Sequence, residues 1–360
     1  MREGNVREMN RTELGTALPG GTGARAETRS AGVGRQAQTP CLPRAFYHAL
    51  DKTVNWFGSL ESSGTIAAAP TRHDSKALQK LFVDFWTATG MDASLGLARA
   101  TPDHRLFRTK LGGYFWQSPQ VRRCFEKPRG YAGDYLMMDA MCNQPPKAST
   151  LTGEWLERWF RDSFPPFIAV RNRRDYMARL LREEQARGAR RILNVACGGA
   201  PELAASGLCS QFEEIVLLDQ DAEALEFARA RLGGKDGDAG SGHVRTVCAS
   251  IQALTESLPS GLRRYDVVYS MGLYDYLPQR RARALTKVLW ERVAPGGILV
   301  VGNFQGHHWS RYAIEAVMDW FVLYRDPDDL TALASELAGG CASVVDDATG
   351  LLHMLQVRRT

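Results

Sequence analysis

Apolar residues recur at helical spacing through the first half of the chain. In S-K-A-L-Q-K-L-F-V-D-F-W-T-A, residues 75–88, the large apolar side chains fall on one face at intervals of three and four. The same periodicity predicts further helices from residue 45 onward and over 102–114, 119–125, 151–160 and 167–187. The last of these ends at Gly188, a common C-terminal residue of helices. We therefore predict an all-helical N-terminal domain over residues 43–188.

Short apolar runs alternate with helical segments in the second half. The runs predict strands at five places: 192–196, 215–218, 244–249, 265–270 and 298–303. Helices are predicted between and after them, over 222–232, 281–293, 309–323 and 328–338. Glycine-rich 233–242 predicts a flexible loop, Pro295-Gly296-Gly297 a sharp turn, and 342–357 an antiparallel hairpin. This order predicts an α/β fold over 189–360, a Rossmann-like sheet with helices on both faces.

A turn of small residues follows the first predicted strand. It reads Cys197-Gly198-Gly199-Ala200, and Pro201 then suits the first turn of a helix. The second strand ends in Asp219, about 20 residues past the glycines, where a carboxylate of a Rossmann-type unit holds ribose hydroxyls. The turn has neither the G-x-G-x-x-G frame of dinucleotide sites nor a Walker lysine. The pattern therefore predicts a nucleoside-bearing cofactor without a pyrophosphate cradle.

Composition and charge narrow the class of protein. The 360 residues are 44% hydrophobic, and 45 basic against 40 acidic side chains give a net charge of +5, too mild to indicate nucleic-acid binding. Seven widely spaced cysteines without C-x-x-C pairs predict a reducing, cytoplasmic location. No apolar run reaches 18 residues and no secretory signal opens the chain, so neither a transmembrane span nor export is predicted. Residues 1–42 are predicted to be a disordered tail.

The glycine turn and the acid after the second strand resemble the first motif of class I S-adenosylmethionine-dependent methyltransferases. The resemblance implies S-adenosylmethionine as the cofactor, with its methionine part at the turn and its ribose at the acid. It assigns the following residues to the cofactor: Asn194, Ala196, Cys197, Gly198, Asp219, Gln220, Ala249, Ser250, Ser270, Met271 and Gly272. Ser250 is a departure, because many members carry an aspartate at this adenine-contacting position. The segment after the fourth strand is expected to face both the sulfonium and the acceptor.

Three longer motifs carry a narrower resemblance. They are K-P-R-G-Y-A-G-D-Y at 127–135, Y-S-M-G-L-Y-D-Y-L at 269–277, and G-N-F-Q…S-R-Y…M-D-W-F-V-L-Y-R-D at 302–326. These motifs are similar to the bacterial extracellular-factor family of 3-hydroxypalmitic acid methyl ester biosynthesis, over roughly residues 75–360. The resemblance implies a methyltransferase that esterifies the carboxyl of a 3-hydroxy fatty acid and so makes a quorum-sensing signal.

The acceptor determines which side chains the reaction needs. A carboxylate, with a reference pKa of about 4, is already ionised and needs no general base, only groups that hold it in line. Candidates are Tyr131, Tyr135, Tyr274, His307 and Arg311, together with Arg129, Tyr276 and His308. An alcohol or phenol acceptor would want a base, which His307 or His308 could supply. No metal site is predicted, because no third ligand accompanies the two histidines at a recognisable spacing.

Glycine and proline interrupt the helical pattern over 127–139, which predicts a loop. A turn with an ordinary tyrosine–aspartate hydrogen bond explains this segment as well as a functional loop does. In the functional alternative it is a lid over the cofactor, with Tyr131 or Tyr135 near the methyl group and with Asp134 as a cofactor-binding residue that orients a neighbour. The helical domain would then supply an apolar tunnel for the acyl chain, although its stripe of Phe82, Phe85 and Trp86 is also typical of plain core.

Other functions remain open at this level. The acceptor could be another small acid, a carrier-bound acyl chain or RNA, and RNA binding predicts strong salt dependence. A protein of another class, a non-catalytic regulator that binds S-adenosylmethionine, would share the glycine turn and the acid. A homodimer is compatible with the sequence.

Overall fold

The described residues of the first half of the chain form helices and the segments that connect them. The computed structural model describes residues 42–62, 69–90, 100–143, 145–233, 243–250, 254, 259 and 261–360. In this part of the chain the first seven helices are α1 Arg44–Ser62, α2 Arg72–Thr89, α3 Pro102–Phe115, α4 Pro119–Glu126, α5 Tyr135–Cys142, α6 Leu151–Ser163 and α7 Pro165–Ala186. The helical segments predicted from apolar spacing are confirmed within a few residues. The predicted tail over 1–42 lies outside the described residues except for Leu42.

The predicted loop over 127–139 was too long, because α5 begins inside it. The carboxylate of Asp134 accepts a hydrogen bond of 2.9 Å from the Met137 N–H and so caps the first turn of that helix. The loop itself therefore ends at Asp134. Lys127, with φ of 49°, is the left-handed residue that ends α4 and starts the loop.

The second half folds into one sheet with short helices around it. The strands are β1 Arg191–Val195, β2 Glu214–Asp219, β3 Val244–Cys248, β4 Tyr265–Ser270, β5 Val293–Phe304, β6 Gly340–Asp346 and β7 Leu352–Arg359. The remaining helices are α8 Pro201–Ser206, α9 Ala222–Arg231, α10 Gln279–Trp290, α11 Ser310–Met318 and α12 Pro327–Ala334. The strand order is β3-β2-β1-β4-β5-β7-β6; β1 to β5 run parallel, and β7 is antiparallel to both of its neighbours. The predicted α/β class, including the terminal hairpin, is confirmed.

One predicted boundary in the sheet was wrong. Pro295-Gly296-Gly297 was expected to separate α10 from a strand that starts at residue 298, but β5 already starts at Val293. Val293 pairs with Tyr265, and the register then shifts so that Ile298 pairs with Val267. The proline and glycines are thus accommodated as an irregularity within the strand. The predicted glycine-rich loop lies, from residue 234 to 242, outside the described residues.

A single apolar core joins the helices to one face of the sheet. It includes Phe82 and Phe107 from the helices together with Ile192 and Val267 from the strands. Phe82 and Phe85 of the aromatic stripe are buried here, so they are core residues. A second core on the other face of the sheet packs against α10 and α12. Residues 40–360 form one compact unit, and the proposed division near residue 188 stays a prediction.

No helix in the described ranges is long and apolar enough to cross a membrane.

The shared core predicts that helices and sheet unfold together. Phe107 is fully buried, and its ring centroid lies 5.0 Å from that of Phe85 and 5.8 Å from that of Tyr312 on α11. We expect Phe107→Ala to lower the free energy of unfolding by about 3–5 kcal/mol, the usual cost of truncating a buried phenylalanine. Denaturant titration followed by circular dichroism and tryptophan fluorescence should give one coincident, shifted transition.

Leu151→Ala is the matched control, because Leu151 is 65% exposed and the change should alter stability by less than about 1 kcal/mol. Two separate transitions in Phe107→Ala, with only one shifted, would show that the helices and the sheet do not share a cooperative core.

Candidate functional site

A cleft of about 590 Å³ opens at the carboxyl ends of the parallel strands, which is within the usual range for a small-molecule site. Its floor is formed by the turn after β1, the end of β2 and the segment after β4, and α7 and the loop 127–134 form its walls. In this strand order the direction of winding changes between β1 and β4, and the two adjacent loops leave a crevice there. The topology therefore places the cleft where α/β sheets bind ligands.

The turn after β1 is held open by backbone conformation and by Asp219. Ala196, Gly198 and Ala200 have φ values of 53°, 50° and 46°, so every second residue of the turn is left-handed. The Gly198 N–H donates to Asp219 Oδ2 at 2.8 Å, and the Asp221 N–H donates to Oδ1 at 3.0 Å. Burial raises the pKa of Asp219 above its usual value, and these hydrogen bonds oppose that rise. Each oxygen keeps an acceptor position for a hydroxyl in the cleft.

The loop 127–134 is tied across the cleft by charge. Arg129 forms a bidentate ion pair with Asp221, with distances of 2.7 and 2.6 Å, and a third bond of 2.8 Å to Glu223. Its guanidinium also lies 5.2 Å from the centroid of the Tyr135 ring. The hydrogen bond from Arg129 lowers the pKa of Asp221. The loop and the start of α9 thus form one wall, with Tyr131 between them and the cleft floor.

Two tyrosines that line the cleft, Tyr131 and Tyr135, can donate hydrogen bonds to a ligand. Burial raises the pKa of Tyr131 well above its ordinary value, and the nearby carboxylates of Asp219 and Asp221 raise it further. Burial also raises the pKa of Tyr135. Both phenols therefore keep their protons at neutral pH and can donate hydrogen bonds to an anion, but they are poor bases.

Arg173 of α7 brings a cation to the cleft floor. Its side chain is buried, and its Nη1 donates to the carbonyl oxygen of Met271 just after β4. A Cβ on Gly302 would lie 2.9 Å from this carbonyl oxygen, so the glycine gives room to the acceptor of the Arg173 hydrogen bond. Within the described ranges, no carboxylate oxygen comes within the 4.0 Å of an ion pair with this guanidinium. The positive charge is therefore available to a ligand.

Glu202 of α8 brings a carboxylate to the same floor. It is 5% exposed, and its Oε1 accepts hydrogen bonds from Asn194 Nδ2 at 2.9 Å and from the Tyr269 hydroxyl at 3.0 Å. Burial raises its pKa. The sequence reasoning missed both Glu202 and Arg173. The available signals were the acidic residue that follows the turn of small residues and the R-N-R-R-D-Y run at 171–176, inside the predicted helix 167–187.

Ten of the residues predicted from the sequence line this cleft. They are Tyr131, Tyr135, Asn194, Ala196, Cys197, Gly198, Asp219, Gln220, Met271 and Gly272. They come from the loop 127–134, the first turn of α5 and the ends of β1, β2 and β4, so the structure brings them together across some 140 residues of sequence. Tyr276, a further candidate, also lines the cleft, and its hydroxyl accepts a hydrogen bond of 2.8 Å from Trp320 Nε1.

Three predicted acceptor ligands lie outside the cleft lining. Tyr274 is fully buried, and its hydroxyl shares a hydrogen bond of 3.0 Å with Thr286 of α10. Arg311 is buried in α11 and forms an ion pair of 2.8 Å with Glu315. His307 is exposed on the loop after β5. The side chain of Tyr274 is packed in the core, that of Arg311 forms an internal ion pair, and that of His307 lies at the surface. These positions do not support contact with the acceptor.

The alternative base also lies outside the cleft lining. His308 bonds the Ser310 hydroxyl at 2.7 Å, and burial lowers the pKa of His308 to about 4.

Four predicted cofactor residues likewise lie outside the cleft lining: Asp134, Ala249, Ser250 and Ser270. Asp134 is buried because it caps α5 and pairs with Arg123 at 3.0 and 2.7 Å. Ser270 is fully buried as the last residue of β4. The adenine assignment at 249 and 250 therefore stays a prediction, and Gln220 is the residue beyond Asp219 that lines the cleft.

Comparison with known proteins agrees with this geometry. Residues 193–301, which span most of β1 to β5, match the family described as methyltransferase domain, and the sheet is of the Rossmann-like kind. A possible exported protein from Bordetella parapertussis has a similar fold, with 22% identity, 63% of this chain and 79% of that chain covered and a TM-score of 0.50. No curated protein matches the chain.

Two solved methyltransferases show weaker similarity. The N-methyltransferase NodS from Bradyrhizobium japonicum, in complex with S-adenosyl-L-homocysteine, shares 15% identity over 62% of this chain and 97% of its own, with a TM-score of 0.41. The amino pentose methyltransferase CalS10 from Micromonospora echinaspora, with S-adenosylmethionine bound, shares 16% sequence identity. The match covers 52% of this chain and 92% of that chain, with a TM-score of 0.38.

The tie between Arg129 and Asp221 predicts how tightly the loop 127–134 is held. We expect Arg129→Gln and Asp221→Asn each to raise the rate of chymotrypsin cleavage after Tyr131 several-fold, since each breaks the bidentate pair. Asparagine caps a helix as well as aspartate does, so α9 should keep its N-terminus in the second variant. Limited proteolysis with mass spectrometry measures the rates, and the double variant should add no further increase.

Arg122→Gln serves as the control, because it breaks an exposed ion pair between Arg122 and Glu126, both on α4, the helix that precedes the loop. Cleavage rates that rise equally in the control, or that do not rise in either test variant, would contradict a loop held by this pair.

Proposed function

We propose that this protein is an S-adenosylmethionine-dependent methyltransferase that converts the carboxyl group of a 3-hydroxy fatty acid into its methyl ester, a quorum-sensing signal. The observation that carries the proposal is the buried guanidinium of Arg173 beside Met271 and Gly272. A buried cation that pairs with no carboxylate of the described residues favours an anionic ligand. The acyl class of that ligand is what the resemblance of the motifs at 127–135, 269–277 and 302–326 to the extracellular-factor family implies.

The cofactor part of the proposal is supported by the chemistry of the floor. Asp219 offers carboxylate oxygens to ribose hydroxyls, and the turn at 196–200 lets backbone approach the ligand closely. The residues at this end of the cleft therefore fit S-adenosylmethionine. When bound, this cofactor would supply a methyl group on a sulfonium: an acceptor oxygen would form a bond to the methyl carbon as the S–CH3 bond breaks, and the neutral thioether would leave.

The acceptor part is supported by other groups that line the same cleft. A carboxylic acid with a pKa of about 4 is ionised at neutral pH, so its oxygen is already nucleophilic. The chain's task is to hold that oxygen in line and to exclude water. Arg173 can bind the carboxylate, and the protonated phenols of Tyr131 and Tyr135 can donate to it without removing a proton.

An apolar side of the cleft suits the start of an acyl chain. Six side chains from α5, α7, the segment after β4 and the ends of β5 and α11 contribute to it: Met138, Val170, Leu273, Leu277, Phe304 and Trp320. An ionised head group beside Arg173 with apolar surface next to it is the polarity expected of a site for an amphipathic acid.

The direct test is incubation of the purified full chain with S-adenosylmethionine carrying a labelled methyl group. A panel of 3-hydroxy and unsubstituted fatty acids is offered, and products are identified by mass spectrometry. We expect a labelled methyl ester with 3-hydroxy acids and at least tenfold less with the unsubstituted ones, an advantage of roughly 1.4 kcal/mol for the hydroxyl. Cofactor binding without any ester would instead favour a carrier-bound acceptor or a non-catalytic regulator.

Arg173→Gln tests the acceptor site. We expect the KM for the acid to rise roughly 30-fold. This corresponds to about 2 kcal/mol of binding free energy, the low end of the loss when one partner of a buried, hydrogen-bonded charge pair is removed. The Kd for S-adenosylmethionine should change less than about twofold. Steady-state kinetics and isothermal titration calorimetry provide the two constants.

Arg179→Gln is the control, because Arg179 is exposed on the same helix. If Arg173→Gln weakens cofactor binding and leaves the KM for the acid unchanged, the arginine binds the cofactor's own carboxylate and the acceptor assignment is wrong.

A further inference from the structure

Glu202 is a buried acid in the cleft with no cationic partner in the described part of the chain. We infer that its carboxylate binds the ammonium group of the cofactor's amino-acid end and so selects cofactors that carry this group. The inference rests on the proposed function, because it concerns S-adenosylmethionine in the same cleft. It makes Glu202 a binding residue that the sequence motifs did not indicate.

The buried carboxylate of Glu202 has hydrogen-bond donors but no ion-pair partner in the described part of the chain. The two hydrogen bonds that it accepts, from Asn194 and Tyr269, come from neutral donors and both end on Oε1. No lysine, arginine or histidine nitrogen among the described residues lies within the 4.0 Å of an ion pair. The positive charge of Arg173 lowers the pKa of Glu202, but the two side chains do not form an ion pair. A buried carboxylate is costly unless a cation or further donors compensate it.

Glu157 shows that the cleft position matters. It is also buried and is also bonded only by neutral donors, Ser118 Oγ and the Gln120 N–H at 2.8 Å each. It lies among the N-terminal helices and does not line the cleft, so those bonds are a structural link between α4 and α6. Glu202 has similar partners but faces a space large enough for a ligand.

The position of Glu202 along the cleft selects the ammonium. Asn194 and Tyr269 are paired residues of β1 and β4, so their hydrogen bonds hold the carboxylate over the junction of these two strands. Asp219, which is expected to bind the ribose, stands at the end of β2 on the other side of β1. A cofactor with its ribose at Asp219 extends its amino-acid end toward the β1–β4 junction and therefore toward Glu202. The sulfonium lies between these two ends.

The chemistry of the pair is simple. An ammonium has three N–H donors and one positive charge, and the second oxygen of Glu202 has acceptor capacity that its two internal bonds do not use. Asn194 and Tyr269 orient the carboxylate through Oε1 and leave Oε2 to the ligand. The cofactor thereby completes a charge pair that the protein alone lacks, which favours nucleosides with an amino-acid tail over those without one.

The experiment compares Glu202→Gln with wild type in binding three probes: S-adenosylmethionine, S-adenosylhomocysteine and 5′-methylthioadenosine, which lacks the amino-acid tail. For S-adenosylmethionine and S-adenosylhomocysteine we expect the Kd, measured by calorimetry, to rise roughly 10- to 30-fold, because the variant loses the charged partner of the ammonium group. For 5′-methylthioadenosine we expect the Kd to rise less than twofold. The melting temperature of the ligand-free variant should be equal to or above that of wild type, because a buried, unpaired charge has been removed.

Two further variants keep the result interpretable. Glu157→Gln, the buried acid away from the cleft, should leave all three affinities within twofold of wild type. Glu202→Asp keeps the charge and should keep most of the preference for the tailed probes, which covers the case in which Glu202→Gln does not fold.

Four outcomes would overturn the inference. An equal loss for all three probes would make Glu202 a structural residue. A loss confined to S-adenosylmethionine would assign the carboxylate to the sulfonium, and unchanged affinities would remove it from the site. These three outcomes leave the proposed function intact, whereas failure of the wild type to bind S-adenosylmethionine would overturn both.

Discussion

The hydrogen bond from the Gly198 N–H to Asp219 is the contact on which the site depends. It joins the turn after β1 to the end of β2 across 2.8 Å and buries a carboxylate where the two strands end. The left-handed backbone at Ala196, Gly198 and Ala200 is compatible with that bond, and Ala196 and Gly198 line the cleft. Because Asp219 also orients the Asp221 N–H, it fixes the residue to which the loop 127–134 is tied.

The cleft keeps several charges out of water with little local compensation. Arg173 and Glu202 have no ion pair in the described part of the chain. Asp275 is fully enclosed and accepts a hydrogen bond of 2.7 Å from the Phe304 N–H, and burial raises its pKa to about 6. Such groups destabilise the ligand-free fold, whereas the two large apolar cores stabilise it. Stability is thus concentrated away from the site, and the cleft is left complementary to a ligand that carries both signs of charge.

The sequence allowed prediction of those features that depend on local spacing. A strand, a tight turn, a helix and an acid at fixed intervals follow from βαβ geometry, so the turn at 196–200 and Asp219 were found. Arg173 and Glu202 were missed because their burial depends on how α7 and α8 pack against the sheet. Tyr274 and Tyr276 were both candidates, and only Tyr276 lines the cleft, because the turn at 274–276 is a 3₁₀ helix, whose successive side chains point about 120° apart. Motif position alone does not determine which of them faces the cleft.

The loop 127–134 shows how the helical half of the chain contributes to the site. It is anchored at its start by Lys127, which pairs with Asp319 at 2.6 Å, and at its end by the bidentate pair of Asp134 with Arg123. Both anchors lie on the side of the helices, whereas the bonds of Arg129 reach the start of α9. The loop can therefore separate from the sheet at Arg129 without losing its place among the helices. The loop is therefore joined to the start of α9 by charged contacts of Arg129, whereas the helices that hold its two ends share an apolar core with the sheet.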